Sequence, residues 1–211
     1  LEKYLAGLLN KEMLPSWPLE ALKAQAVASR SYALFQAGET SAKDYDLENT
    51  TQDQVYHGAS SETPRSSQAV EATKGLVLMA GSRILKAYFH ANCGGVTEVP
   101  VAVWGDGTIG FKSVVCPYHQ RKKDQARWKV HLSLSQIEGA MRHIAGLLPR
   151  SFVKLASLTA SPFNAHQRLT GIFLADRQGD RREVSAQAFR NAVGNTKIRS
   201  TSFHLSRDPT G

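Results

Sequence analysis

The run Glu12-Met13-Leu14-Pro15-Ser16-Trp17-Pro18-Leu19-Glu20-Ala21-Leu22-Lys23-Ala24-Gln25-Ala26-Val27-Ala28-Ser29-Arg30-Ser31-Tyr32-Ala33-Leu34 decides how the start of the chain folds. Proline suits the first turn of a helix but not its interior, so Pro15 and Pro18 end one helix and begin another. Upstream, Leu1, Tyr4, Leu5, Leu8 and Leu9 recur at the three- and four-residue spacing of one helical face, and Glu12 continues that stripe. A carboxyl group at a helix end beside a turn has two readings. Partly withdrawn from water, its charged form is disfavoured and its pKa rises, as a general acid near neutral pH requires. Left at a frayed end, it is a solvated surface residue. Downstream, a helix from about Pro18 to Gln36 is rich in alanine (Ala21, Ala24, Ala26, Ala28, Ala33), so neighbouring elements can approach it closely and it reads as central and buried. Lys23 and Arg30 share one face of it and need partners, for which Glu20 or another surface carboxylate is one answer.

This run resembles the signature of the stage II sporulation protein D (SpoIID) family, whose pattern usually reads Glu-Met-Pro where this chain has Glu12-Met13-Leu14-Pro15. Other stretches are similar to the family as well: Thr50-Thr51-Gln52-Asp53-Gln54-Val55-Tyr56, Ala69-Val70-Glu71-Ala72-Thr73-Lys74-Gly75, and Tyr88-Phe89-His90-Ala91-Asn92-Cys93-Gly94-Gly95-Val96-Thr97-Glu98. Near the C-terminus Val184-Ser185-Ala186-Gln187-Ala188-Phe189-Arg190 and Lys197-Ile198-Arg199-Ser200-Thr201-Ser202-Phe203 extend the likeness over nearly the whole chain. The resemblance implies a lytic transglycosylase that cuts the β-1,4 bond between N-acetylmuramic acid and N-acetylglucosamine in peptidoglycan, leaving a 1,6-anhydro ring, with Glu12 as acid and then base. It also implies substrate-binding roles for Lys23, Gln25, Arg30, Tyr88, His90, Thr97 and Glu98, with Lys23 and Arg30 as a cationic wall that positions glycan or a carboxylate. Some relatives enhance cell-wall amidases, which makes a non-catalytic peptidoglycan-binding module with an amidase partner the alternative. The implied substrate is the glycan strand, including strands that lack stem peptides, and the implied location is the periplasm or cell envelope.

Residues from about 38 to 67 are polar and read as an excursion bordering a cleft, with Thr50 to Tyr56 as the strand-like piece. Ala69 to Lys74 read as a helix ended by Gly75, followed by strands at Leu76–Met79 and Ile84–His90 about a turn at Gly81. Gly94-Gly95 permits a close approach of the adjoining strand end to a sugar, with His90 and Glu98 as the candidates it would deliver; as satisfied loop residues, the two have an equally ordinary reading. His90 and Cys93 are separated by two residues, as are Cys116 and His119, a spacing that lets two turns clasp one structural zinc between four ligands. A single Cys93–Cys116 disulfide, suited to an exported protein, is the other reading, and neither is needed for catalysis.

In the C-terminal half, Trp128 to Leu132 reads as a strand, and Ser133 or Ser135 caps a helix carrying Ile137, Met141, Ile144 and Leu148. Strands follow near Phe152–Thr159 and Leu169–Ala175, a polar turn covers Asp176 to Arg182, and Ser185 opens a short helix ended by Gly194. Ile198 to Leu205 alternates like a closing strand. Helices mixed with antiparallel hairpins make the expected fold α+β, a single SpoIID-like domain over residues 1–211. A net charge of +8 favours anionic polymers, but the basic residues are scattered apart from Arg121-Lys122-Lys123, which argues against a nucleic-acid partner. No apolar run approaches the roughly 18 residues of a membrane span. The chain opens on Leu1 rather than Met, so the absence of an export signal or anchor from it is weak evidence against export.

Overall fold

The computed structural model describes residues 1–39, 44–50, 53–105, 110–118 and 127–208. Its architecture is α+β, as the mixture of helical and strand patterns implies. The chain divides into two compact units: residues 1–91 with 100–112, and residues 92–99 with 113–211.

The first unit is helical. Helix α1 (Glu2–Glu12) and helix α2 (Leu19–Glu39) flank the turn that contains Pro15 and Pro18. Helix α3 (Pro64–Glu71) begins earlier than its apolar residues suggest, because Thr63 caps it in a reciprocal capping box with Ser66 and Pro64 occupies the first turn. The Thr-Pro-x-Ser pattern is the signal that marks this start. The core of the unit joins Leu5, Ala6, Leu8 and Leu9 of α1 to Leu22 and Ala26 of α2 and to Ala69 and Val70 of α3. Leu5, Leu8, Leu9 and Leu22 are each at most 1% exposed, and burial of each stabilises the unit by about 1.5–3 kcal/mol. Gly7 sits inside α1 because a Cβ there would lie 2.8 Å from the Tyr56 ring and 2.9 Å from the Gly58 carbonyl oxygen. The helix thereby admits the 56–58 segment against its backbone.

Residues 44–58 carry no strand among those described; of the Thr50–Tyr56 piece, Thr51 and Gln52 lie outside the described residues. Asp53 anchors this segment by accepting from the Tyr32 hydroxyl, the Gln36 amide and the Glu48 backbone N–H, each at 2.8–2.9 Å. The following hairpin is shorter than expected: strand β1 (Met79–Ala80) pairs with strand β2 (Arg83–Ile84) about Gly81. Beyond Leu85, the Tyr88 N–H bonds back to the Lys86 carbonyl at 2.9 Å, a tight turn that ends the ladder. Helix α4 (Pro100–Trp104) belongs to the same unit.

The second unit holds a three-stranded antiparallel sheet in the order β3 (Leu155–Ala160), β4 (Gly171–Asp176), β5 (Arg181–Ser185). Its helices are α5 (Leu134–Arg142), capped by Ser133 in a box with Gln136, and α6 (Ala186–Val193), capped by Ser185 and closed at Gly194. Ile137 and Met141 of α5, Phe189 and Val193 of α6, and Ile172, Leu174 and Val184 of the sheet share one buried core. Two expected strands are absent here. Trp128, Val130 and Leu132 pack against this core, as do Ile198 and Phe203, yet residues 127–132 and 198–205 form no ladder. Their alternation reflects alternate burial without a strand edge to pair with. Ile144, expected in the apolar stripe of α5, lies beyond the helix end and is 39% exposed.

Candidate functional site

Glu12 is the last residue of α1, and Met13 leaves the helix in extended geometry while its N–H still bonds the Leu9 carbonyl. The Glu12 side chain is half-buried and makes no hydrogen bond or ion pair among the described residues. Burial raises its pKa above the ordinary carboxylate range, and the negative end of the α1 macrodipole acts in the same direction. Tyr4 lies on the same helix. Its hydroxyl donates to the Gln54 side-chain oxygen at 3.0 Å and its ring packs on Tyr56, with burial pushing the phenol up to about 12 and the charge of Glu12 adding to the shift. Glu12 thus has the environment of an uncompensated carboxyl that holds its proton to higher pH than a surface glutamate does.

Arg30 is placed elsewhere. It is 1% exposed, and its guanidinium forks onto Glu2, with Nε to Oε1 at 3.1 Å and Nη2 to Oε2 at 2.6 Å. Its remaining donors reach the backbone carbonyls of Leu76 at 3.1 Å and Val70 at 3.3 Å. Glu2 begins α1 and Glu12 ends it, so the two lie about 15 Å apart along the helix axis. Arg30 therefore grips the far end of α1 and ties α2 to the segment after α3; the cationic wall imagined on α2 does not form from it. Lys23 bonds Glu20 at 2.7 Å, one turn away on an exposed face, which is the ordinary pairing its sequence position allows. Gln25 is half-buried and donates to the Ser29 hydroxyl at 3.1 Å. Tyr88 packs edge-on against Tyr32 and against Phe111, with the Lys86 ammonium 5.2 Å from its ring centre, and His90 is exposed.

Thr97 and Glu98 belong to the second unit. Thr97 is a pairing residue: its N–H bonds the Val114 carbonyl at 2.9 Å and its hydroxyl accepts from the Val114 N–H at 2.8 Å. The Glu98 side chain is 8% exposed and has three donors, the Val99 N–H at 3.0 Å, the Asn164 amide at 2.8 Å and His166 Nδ1 at 2.7 Å. Desolvation opposes the charge, but those three hydrogen bonds and the His166 ring together hold the Glu98 pKa below its usual range. Asn164 and His166 sit in the β3–β4 loop, more than sixty residues away in sequence, and no local pattern marks them. In the same loop Arg168 donates to the Cys93 carbonyl at 2.8 Å and to the Val96 carbonyl at 3.3 Å, which fastens the Gly94-Gly95 turn.

Cys93 and Cys116, both half-buried, lie on adjoining antiparallel segments: Val96 pairs with Val115, the Cys116 N–H bonds the Gly95 carbonyl at 2.8 Å, and the Gly95 N–H points to Cys93 Sγ at 3.4 Å. Two thiols on paired segments suit either a shared zinc or a disulfide. His119 lies outside the described residues, and among the described residues no group of three or more metal-ligating side chains occurs.

Residues 1–79 match the model of the stage II sporulation protein family, SpoIID. Over these residues the chain is similar to the SpoIID family. The family match covers the whole α1–α2–α3 assembly and ends at the first strand of the hairpin. A protein of Bacillus subtilis (strain 168) named amidase enhancer is 38% identical over 138 residues, which cover 64% of this chain and 17% of that protein. The stage II sporulation protein D of the same organism is 27% identical over 224 positions, covering 92% of this chain and 65% of its own length. An uncharacterized protein of Brachyspira hyodysenteriae (strain ATCC 49526 / WA1) is 41% identical over 106 residues, half of this chain and 29% of that protein. The chain thus spans less than two thirds of the length of each of these three relatives.

Proposed function

We propose that this chain is a peptidoglycan lytic transglycosylase in which Glu12 serves first as acid and then as base. The observation that carries the proposal is the state of Glu12: half-buried, without a hydrogen-bond or ion-pair partner among the described residues, and with its pKa raised by burial. Many glycosidases need a second carboxylate to attack the sugar or to activate water. Here the nucleophile is the C6 hydroxyl of the muramic acid itself, already held by its own ring, so a single carboxyl group suffices. Glu12 gives its proton to the bridging oxygen as the bond from C1 breaks. The C6 oxygen then bonds to C1, its proton passes to Glu12, and the 1,6-anhydro ring is left with the acid regenerated. The substrate in this reading is the glycan strand, including strands lacking stem peptides, and the place of action is the cell envelope of an exported protein. One structural zinc held by His90, Cys93, Cys116 and His119 belongs to the same proposal, with the Cys93–Cys116 disulfide as its alternative.

The similarity to the amidase enhancer favours a second reading, a peptidoglycan-binding module that activates a cell-wall amidase without cutting glycan itself. Incubating the purified chain alone with peptidoglycan and with peptide-free glycan strands separates the two. Release of anhydro-muropeptides or anhydro-disaccharides by the wild type, and its loss in Glu12→Gln, is the outcome expected of the transglycosylase. No anhydro product, with stimulation of an added amidase, would establish the enhancer reading instead.

A further inference from the structure

We propose that Trp17 is a stacking platform for a sugar ring of the glycan strand on which Glu12 acts. The inference rests on the glycan-directed reading of Glu12 and adds a binding residue to it. The turn between α1 and α2 buries little: Leu14 is 62% exposed and Trp17 44% exposed. The Trp17 ring makes no aromatic or hydrogen-bonded contact among the described residues. Single exposed apolar residues are common on protein surfaces and need no function. What sets this one apart is how firmly its backbone is held. The Trp17 N–H closes a turn onto the Leu14 carbonyl at 3.0 Å, and prolines at 15 and 18 restrict the chain on either side. From α3, the Arg65 guanidinium reaches across with Nε on the Pro15 carbonyl at 2.9 Å and Nη2 on the Trp17 carbonyl at 2.8 Å. A planar fork is thus used to fix a turn whose large side chains face solvent, so core packing does not account for the rigidity.

Rigidity combined with exposure is the signature of a preorganised contact, because little ordering entropy remains to be lost on binding. An indole offers a broad apolar face at the cost of only two side-chain torsions, and its N–H remains available to a polar group at the edge. A pyranose ring presents the complementary shape, a flat face of C–H groups rimmed by hydroxyls. Position agrees with this. Leu14 and Trp17 are the ends of one turn, within about 7 Å at Cα, and Leu14 is two residues from Glu12, so the Trp17 and Glu12 Cα atoms lie within roughly 14 Å of each other. An extended oligosaccharide with its scissile bond at Glu12 runs over that distance.

The test uses the full chain carrying Glu12→Gln, so that glycan is bound and not consumed, with peptide-free peptidoglycan strands as the probe. Adding Trp17→Ala should weaken binding about tenfold or more, whereas Trp17→Phe should retain most of it, and neither should move the melting temperature. In the Glu12 enzyme, Trp17→Ala should raise KM with kcat little changed. Glycan should also alter an indole emission that disappears in Trp17→Phe, against the background of Trp104 and Trp128. Unweakened binding by Trp17→Ala, an emission indifferent to glycan, or a parent protein that binds no glycan would each overturn the platform. Cleavage that survives Trp17→Ala with unchanged KM refutes the platform and leaves the acid–base role of Glu12 intact. Trp17-dependent binding by a wild type that yields no anhydro product does the reverse.

Discussion

Replacing Arg30 by alanine distinguishes a residue that holds the fold from one that holds substrate. The side chain is 1% exposed and makes four hydrogen bonds, two of them the bidentate pair to Glu2. Val70 loses little, because its carbonyl also accepts from the Thr73 N–H and the Thr73 hydroxyl, both at 3.2 Å. The Leu76 carbonyl and the Glu2 carboxylate lose their donor. Removing one partner of a buried pair costs about 3–5 kcal/mol, and the Glu2 side chain at 28% exposure can recover some hydration, which places the expected loss near the lower end, about 3 kcal/mol. For a chain of this size that is a fall in melting temperature of roughly 6–12 °C. Arg30→Lys retains the charge but not the fork and should lose about half as much. The pair also fixes a pH dependence. The Arg30 hydrogen bond is the largest cause of the lowered Glu2 pKa, so its contribution is complete above the ordinary value of 4.5 and is lost as pH falls through the folded-state value. Urea denaturation of wild type and Arg30→Ala across that range should show the stability gap closing on acidification. A variant with unchanged stability and lost turnover would refute this account and return Arg30 to the substrate.

Other substitutions probe the two units separately. Glu12→Gln should reduce turnover by about 10²-fold or more, since proton transfer is lost and shape is kept. Because burial raises the Glu12 pKa, the folded state holds that proton more tightly and wild-type stability falls as pH rises through the window between the unfolded and folded values; Glu12→Gln should therefore match or exceed wild type in melting temperature at neutral pH. In the second unit, Glu98→Gln should destabilise by about 1–3 kcal/mol and speed amide exchange in residues 92–99 and 163–168, and the wild-type contribution should vanish as pH falls through the lowered Glu98 value. Undisturbed exchange there would mean that Glu98 is not the tie between these segments. For the cysteines, metal analysis and thiol titration on one sample should find about one zinc per chain and stability that falls on chelation. No zinc and no titratable thiol would replace the metal with the Cys93–Cys116 bridge.

Local chemistry made much of the framework legible from residue order alone. Pro15 and Pro18 mark the break between α1 and α2, Ser133 and Ser185 cap α5 and α6, and Gly194 ends the last helix, because each of these signals acts within a few residues of itself. The position of Glu12 at a helix end follows from the same short-range logic. Pairing is different, since a strand exists only if another segment offers it a free edge. Trp128–Leu132 and Ile198–Leu205 have strand-like alternation, and Trp128, Val130, Leu132, Ile198 and Phe203 pack on the core, but tertiary structure supplies them no ladder. Charged side chains obey the same distinction. Lys23 finds Glu20 three residues away, as its helix predicts, whereas Arg30 bypasses such neighbours for Glu2, 28 residues off. Glu98 finds His166 across 68 residues, and Arg65 reaches the Trp17 carbonyl across 48. A hydrogen bond is a matter of a few tenths of an ångström, and over such separations only the packed chain brings donor and acceptor within that tolerance.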